Sequence, residues 1–488
     1  MIRKIIIVVT LIVLQVLLFA SAHEFARGSF YTEPPIPQQK NTRTPELGFV
    51  TQRLDNFDPT NNQTWQMRYF RNDEFFANGG PILIFVGGQW GISGGLLQGG
   101  QIYNIAEELS GQMFYTEHRY YGLSRPTPDV SVENLRFLTS EQATADLAYF
   151  IEHIRQLHPE FNQSEVILIG GAYAGSIVTW TRQRYPHLVA GAWASSATVF
   201  ANFEFIEYNE VVGSAFNQLG GENCFERLSG AFSQAEQLIS EENFTEISNI
   251  FRICENINFD DPYDVMEFFT LLLQPLTRVV QYHRDGDITE VCTSLLEVPT
   301  ESDIQSYGRW FIRRVLGENP LPNDCVDFHF ESDIQLHRNI SWESTAVQRN
   351  DRQWFFQTCR EFGWFRTTGS TSQPFGSSIT IDYYLKFCSE VFGDIFTADF
   401  IQQNIRRTNV AYGGLSPAVK NVYFTHGSID PWHPTGILTD FGPDSPVDLI
   451  PGASHWQDLG SDEPSDSTEI RAVRQRATNL IKLWSGVA

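Results

Sequence analysis

Residues 166–180 read VILIGGAYAGSIVTW. Val166 to Ile169 are apolar and mostly β-branched, which predicts a short strand buried on both faces. Gly170, Gly171, Ala174 and Gly175 crowd a turn behind it, and residues 176–180 continue as a helix. Strand, small-residue turn, helix is the frame of the nucleophile elbow, G-x-S-x-G. Its small flanking residues let strand and helix approach while one side chain projects into a cleft. The central residue here is Ala172. The frame of a serine hydrolase is present and a methyl group stands where its nucleophile belongs. Ser176 is no substitute: four residues along a helix it lies roughly 6 Å down the axis, beyond the reach of a base or oxyanion donors at the elbow. Ser195 and Ser196 read as packing and turn residues.

Further strands flank this stretch. Residues 81–86, PILIFV, are a second buried run, ending in Gly87, Gly88, Gln89, Trp90 and Gly91. Residues 112–115 are a third, and 189–193 a fourth. Residues 140–157 have helical spacing, with Ser140 as N-cap. Strands alternating with helices imply a mostly parallel sheet covered on both faces. From about residue 201 long helical patterns take over, at 224–239, 262–281 and 303–316. Strand character returns at 421–424 and 447–450. The expected fold is therefore α/β: an α/β-hydrolase core from 23–200 and 404–488, with 201–403 inserted as a helical cap over the cleft.

Asp430 lies just past the 421–424 strand and His455 just past 447–450. The order elbow, Asp, His is that of α/β-hydrolase triads. In such a triad the His accepts the nucleophile's proton, and the Asp sets its tautomer and stabilises the imidazolium. The backbone N–H of Tyr173, together with the loop holding Gly88 and Gln89, is the candidate oxyanion hole.

A net charge of −24 disfavours nucleic acid and anionic membranes as partners, since both require a basic face. Residues 1–22 read as a signal peptide: Arg3 and Lys4 form a basic start, an apolar run follows, and Ala20-Ser21-Ala22 is an A-x-A cleavage site. The apolar run is short for a membrane span, so no anchor is expected. Sequons begin at Asn62, Asn162, Asn243 and Asn339, and with secretion they imply glycosylation. Six cysteines, Cys224, Cys254, Cys292, Cys325, Cys359 and Cys388, are an even set in an oxidising compartment and imply three disulfides stapling the inserted region. No metal-ligand spacing such as C-x-x-C or H-x-x-x-H occurs, and no metal or other cofactor is expected.

Several motifs in order carry a family resemblance. Residues 54–59 (LDNFDP), 117–122 (EHRYYG), 138–146 (LTSEQATAD), 191–197 (GAWASSA), 357–363 (QTCREFG), 427–432 (GSIDPW) and 452–459 (GASHWQDL) span nearly the whole mature chain. They resemble the family of lysosomal Pro-X carboxypeptidase, dipeptidyl peptidase II and thymus-specific serine peptidase. The resemblance implies an α/β-hydrolase core with a disulfide-bonded helical cap. It also implies exopeptidase action on peptides, usually beside proline, in lysosomes or outside the cell, with a homodimer left open. Asp430 and His455 carry over as triad members, and Cys224–Cys292, Cys254–Cys325 and Cys359–Cys388 as disulfides. The family's G-G-S-Y-x-G reads Gly170-Gly171-Ala172-Tyr173-Ala174-Gly175 here, and its G-G-E-G-P-like run reads Gly88-Gln89-Trp90-Gly91, losing a Glu and gaining a Trp. Three readings follow. The chain is an inactive homologue that keeps a peptide cleft. Alternatively it is an active exopeptidase in which Ala172 is engineered or a sequence error, or a non-enzymatic secreted binding protein.

Overall fold

The computed structural model describes residues 33–40, 43–254 and 257–487; the signal peptide expected at 1–22 lies outside them. The chain divides into two compact units. One comprises the described residues of Tyr31–Phe205, Leu336–Phe365 and Cys388–Ala488, the other Ile206–Gln335 and Arg366–Phe387.

The first unit is built on an eight-stranded sheet. In chain order the strands of this unit are β1 Glu46–Arg53, β2 Thr64–Asn72, β3 Ile82–Val86, β4 Gln112–Thr116, β5 Val166–Gly171, β6 Gly191–Ser195, β7 Asn202–Glu204, β8 Gly363–Phe365, β9 Val422–Gly427 and β10 Val447–Ile450. The sheet order is β1-β2-β4-β3-β5-β6-β9-β10, and β7 pairs with β8 in a small sheet of its own. From β4 through β10 every pairing in the large sheet is parallel, while β1–β2 and β2–β4 are antiparallel. This is the α/β-hydrolase arrangement. Every residue of β3, β4, β5 and β6 is buried, as strands covered on both faces require. The hairpin β1–β2 extends one side of the sheet, with β1 and β10 as its outer strands.

The helix Ser140–Leu157 forms as expected, but its cap sits one residue earlier. Thr139 has extended backbone and its hydroxyl accepts from Gln142 N at 3.2 Å, leaving Ser140 as the first helical residue. Ser140 instead donates its N–H (3.0 Å) and hydroxyl (3.0 Å) to the buried carboxylate of Glu361. The helix Thr468–Ser485 closes the unit, and its Trp484 ring lies against Gly191 of β6, where any β-carbon would meet it at 2.2 Å.

The second unit is helical. Its helices include Glu207–Gly220, Glu222–Ser240, Phe244–Phe251, Pro262–Gln281, Asp287–Leu296 and Asp303–Leu316. Phe232 packs against Phe269, Tyr307 and Phe375 at its centre. Cys224–Cys292 and Cys254–Cys325 staple this unit. The third disulfide, Cys359–Cys388, lies in the sheet unit. Residues 336–365 and 388–403 thus group with the sheet, because the disulfide and the β7–β8 pairing hold them there.

Burial pushes the Glu361 carboxyl up to about 7, against the opposing pull of Ser140 and Arg360. The folded state therefore holds this proton more tightly than the unfolded chain, whose carboxyl titrates near 4.5. Its contribution to stability grows as pH falls from about 7 towards 4.5. Glu361→Gln is expected to raise Tm at pH 7.5 and to leave it unchanged near pH 5; parallel Tm–pH curves for the two proteins would contradict this.

Candidate active site

Ala172 sits where β5 ends and the helix Tyr173–Arg184 begins, with φ 57° and ψ −131°. L-residues rarely adopt this conformation, and its presence between strand and helix is the elbow geometry. The Ala172 N–H donates to Ser195 O at 3.0 Å, and Ala172 O accepts from Ser176 N at 3.3 Å, the first bond of the helix. Glycines make room on both sides of the turn. A β-carbon on Gly171 would lie 2.1 Å from the Trp456 ring, and one on Gly175 would lie 2.9 Å from Ala197 Cβ and 3.0 Å from Ser195 O. The helix begins at Tyr173, three residues before the expected 176, so the Tyr173 N–H is one of the unpaired donors at its N-terminus.

His455 lies five residues past β10 and Asp430 three past β9. The His455 Nδ1–H donates to both Asp430 carboxylate oxygens, at 2.9 and 2.8 Å. Both side chains are buried. Burial by itself would raise the Asp430 carboxyl. The His455 ring, the Trp432 N–H and the Ser196 hydroxyl outweigh it and hold the group below the usual carboxylate range. The aspartate therefore remains charged, and its bond leaves His455 Nε2 as the imidazole's acceptor nitrogen.

Gly88 and Gln89 follow β3, the neighbour of β5 in the sheet. The Gly87 N–H is spent on Thr116 O at 2.8 Å. Trp90 is buried. Its Nε1–H donates to Tyr115 Oη at 2.7 Å, and its ring stacks on Trp456 at 5.6 Å and lies against Gly88. Gly88, Ala172, Asp430 and His455 thus all follow the carboxyl ends of parallel strands of one sheet, where ligands bind in open α/β folds. Ser176 is buried one turn along, its hydroxyl paired with Thr198 Oγ1 at 3.4 Å. Among the described residues no cluster of three or more His, Cys, Asp or Glu is arranged to hold a metal ion.

The family model for serine carboxypeptidase S28 matches residues 52–477. The chain belongs to the serine carboxypeptidase S28 family. Thymus-specific serine protease of Mus musculus is 31% identical over 455 residues, covering 90% of this chain and 87% of that protein. Lysosomal Pro-X carboxypeptidase of Bos taurus is 25% identical over 481 residues, covering 93% and 90%.

In this S28 chain the motifs that mark the family brace the elbow. Glu117 pairs with Arg68 and accepts from Ile92 N at 3.0 Å, fixing the end of the glycine loop. Arg119 donates to both Asp146 oxygens, at 2.6 and 2.7 Å, and to Leu54 O and Phe137 O. Tyr173, beside Ala172, closes a chain of bonds with consistent directions. Tyr121 Oη donates to Gln357 Oε1 (2.5 Å), Gln357 Nε2 to Tyr173 Oη (3.0 Å), and Tyr173 Oη to His118 Nε2 (3.1 Å). The His118 Nδ1–H donates to Arg119 O at 2.7 Å. Burial pushes His118 down to about 3, so it stays neutral and keeps Nε2 as an acceptor.

Sequence reasoning missed the roles of Ser195, Ser196 and Asp458. Both serines read as packing and turn residues, yet each bonds a loop of the site. Ser195 Oγ donates to Asp458 Oδ1 at 2.5 Å, and Ser196 Oγ accepts from Trp456 N at 2.8 Å. The available signals were two adjacent hydroxyls at the end of a buried strand and the place of all three residues in the 191–197 and 452–459 motifs.

Tyr173→Phe is expected to destabilise the protein by about 1–3 kcal/mol, because it leaves His118 Nε2 and Gln357 Nε2 buried without their partner. Denaturant unfolding checks this, and a change within about 0.5 kcal/mol of zero, the usual range for surface substitutions, would show the network to be energetically idle.

Proposed function

We propose that this chain is an inactive S28 homologue of the secretory route that keeps a peptide-binding cleft, with proline-containing peptides as its ligands. The observation that carries the reading is Ala172 held in elbow backbone geometry beside an intact His455–Asp430 pair. A serine triad works by passing the hydroxyl proton to His while the oxygen attacks the scissile carbonyl. A methyl group has no proton to give and no lone pair to attack with, so no acyl-enzyme forms. The remaining parts, His455 held by a charged aspartate and helix N–H groups at Tyr173, suit binding of a peptide carbonyl without cleaving it.

Peptide ligands follow from the peptidase family, and the preference for proline from relatives named for Pro-X cleavage. The secretory route is supported by the basic-apolar-A-x-A segment at 1–22, by disulfides, and by the exposure of all four sequon residues, Asn62, Asn162, Asn243 and Asn339. Among the described residues no helix is long and apolar enough to cross a membrane.

A fluorophosphonate probe should label the chain no more than a heat-denatured control, whereas Ala172→Ser should be labelled at residue 172 alone. Stoichiometric labelling of the unaltered chain at any cleft residue would overturn the proposal. Calorimetric titration with proline-containing peptides tests the binding half: no detectable heat or saturation with any of them would favour a non-peptide role for the fold.

A further inference from the structure

We propose that the dipeptide Ser195–Ser196, at the carboxyl end of β6, is the joint that sets the three triad positions in register, with Ser196 as the positioning residue of the Asp430–His455 pair. The inference rests on the reading of this site as a preserved triad frame. β6 lies between β5, which carries the elbow, and β9, which leads to Asp430. From this position the two serines reach all three loops. The carbonyl of Ser195 accepts the Ala172 N–H at 3.0 Å, which holds the elbow. The N–H of Ser196 donates to Thr425 O at 2.7 Å, which fixes the end of β9 before Asp430. The hydroxyl of Ser196 accepts the N–H of Trp456, the residue after His455, at 2.8 Å.

A hydroxyl has one proton and two lone pairs. Accepting from Trp456 leaves the Ser196 proton for a further acceptor, and a hydrogen bond from Ser196 is among the influences that keep Asp430 charged. The oxygen of Ser196 therefore connects the carboxylate to the backbone of the loop that carries its histidine. Ser195 secures the other end of that loop. Its hydroxyl and that of Thr425 donate to the two oxygens of buried Asp458, three residues past His455, each at 2.5 Å.

Backbone conformation supports a role beyond packing. Ser196 has φ 49° and Trp456 φ 41°, so both are non-glycine residues held in the left-handed region. Glycine would relieve that cost at position 196, but it carries no hydroxyl. A turn residue alone does not require serine there. A residue that must turn the chain left-handed and also bond a carboxylate and a neighbouring N–H needs a short side chain that both donates and accepts, as serine does.

The test uses the full chain with Ala172 in place, so it does not depend on catalysis. Protein labelled with 15N-histidine is examined for the proton on His455 Nδ1, assigned by its loss in His455→Gln. The parent is expected to show this proton at low field and in slow exchange with water. Ser196→Ala and Ser196→Gly should each lose or displace the signal, or raise its exchange rate at least about tenfold, the worth of one hydrogen bond to a charged group. Ser176→Ala removes an equally buried hydroxyl one turn into the elbow helix and should leave the signal in place. An unchanged signal in either folded Ser196 variant would overturn the inference. A parent without the signal would overturn the reading of the site itself, and the inference with it.

Discussion

Ala172 is held in a conformation that L-residues rarely adopt by one hydrogen bond to the end of the adjacent strand, and the neighbouring packing follows from that constraint. The elbow helix packs this close to the sheet because Gly170 and Gly175 have no side chains; a β-carbon would meet Ala174 O at 2.6 Å or Ser195 O at 3.0 Å. That close approach places Trp456 over Gly171, and the Trp456 ring in turn supports Trp90, whose indole N–H bonds Tyr115 on β4. The packing around this residue thus joins side chains of β4 and of the loops that follow β3 and β10. The side chain at 172 contributes almost nothing to this arrangement. The architecture of the elbow therefore does not depend on which small side chain stands at 172.

Around the elbow lies a set of buried charges: Arg119 with Asp146, Arg68 with Glu117, His455 with Asp430, and Asp458 bonded by hydroxyls. Such groups are weak sources of stability, since desolvation offsets most of their attraction, but breaking one partner away is costly. Their effect is directional. Each fixes one loop at the carboxyl end of the sheet: Arg119 ties residues 54 and 137 to one helix, Glu117 the glycine loop, and Asp458 the histidine loop. Apart from the His455–Asp430 pair, these groups hold the site from behind.

Much of this was readable from residue order. The strands at 82–86, 112–116 and 166–171 are short, largely apolar runs that form fully buried strands, while 447–450 forms a half-buried strand at the sheet's end. The positions of Asp430 and His455 follow from strand ends and chain order, and the structure joins them at 2.8 Å. What escaped were features without a period. The edge hairpin β1–β2 mixes charges with apolar residues because one flank meets solvent. The cap of the 140–157 helix moved to Thr139 because a distant carboxylate, Glu361, claimed Ser140, and no local pattern reports that. Ser195 and Ser196 looked ordinary because their partners, Asp458 and Trp456, lie some 260 residues away. The helical pattern after residue 201 was read as one insertion. It is shared between both units, since pairing of β7 with β8 and the Cys359–Cys388 bond draw part of it to the sheet.

The central claim is that a complete peptidase frame surrounds a missing oxygen. Hydrolysis of proline-containing peptides and Xaa-Pro amide reporters by Ala172→Ser, measured beside the unaltered chain, addresses it most directly. In the serine protease subtilisin, loss of the nucleophile costs about a million-fold in kcat, so restoring it here should raise turnover by several orders of magnitude from a parent at background. A folded Ala172→Ser protein that binds the peptides and turns over none of them would contradict the claim, and would show that the frame has lost more than its serine.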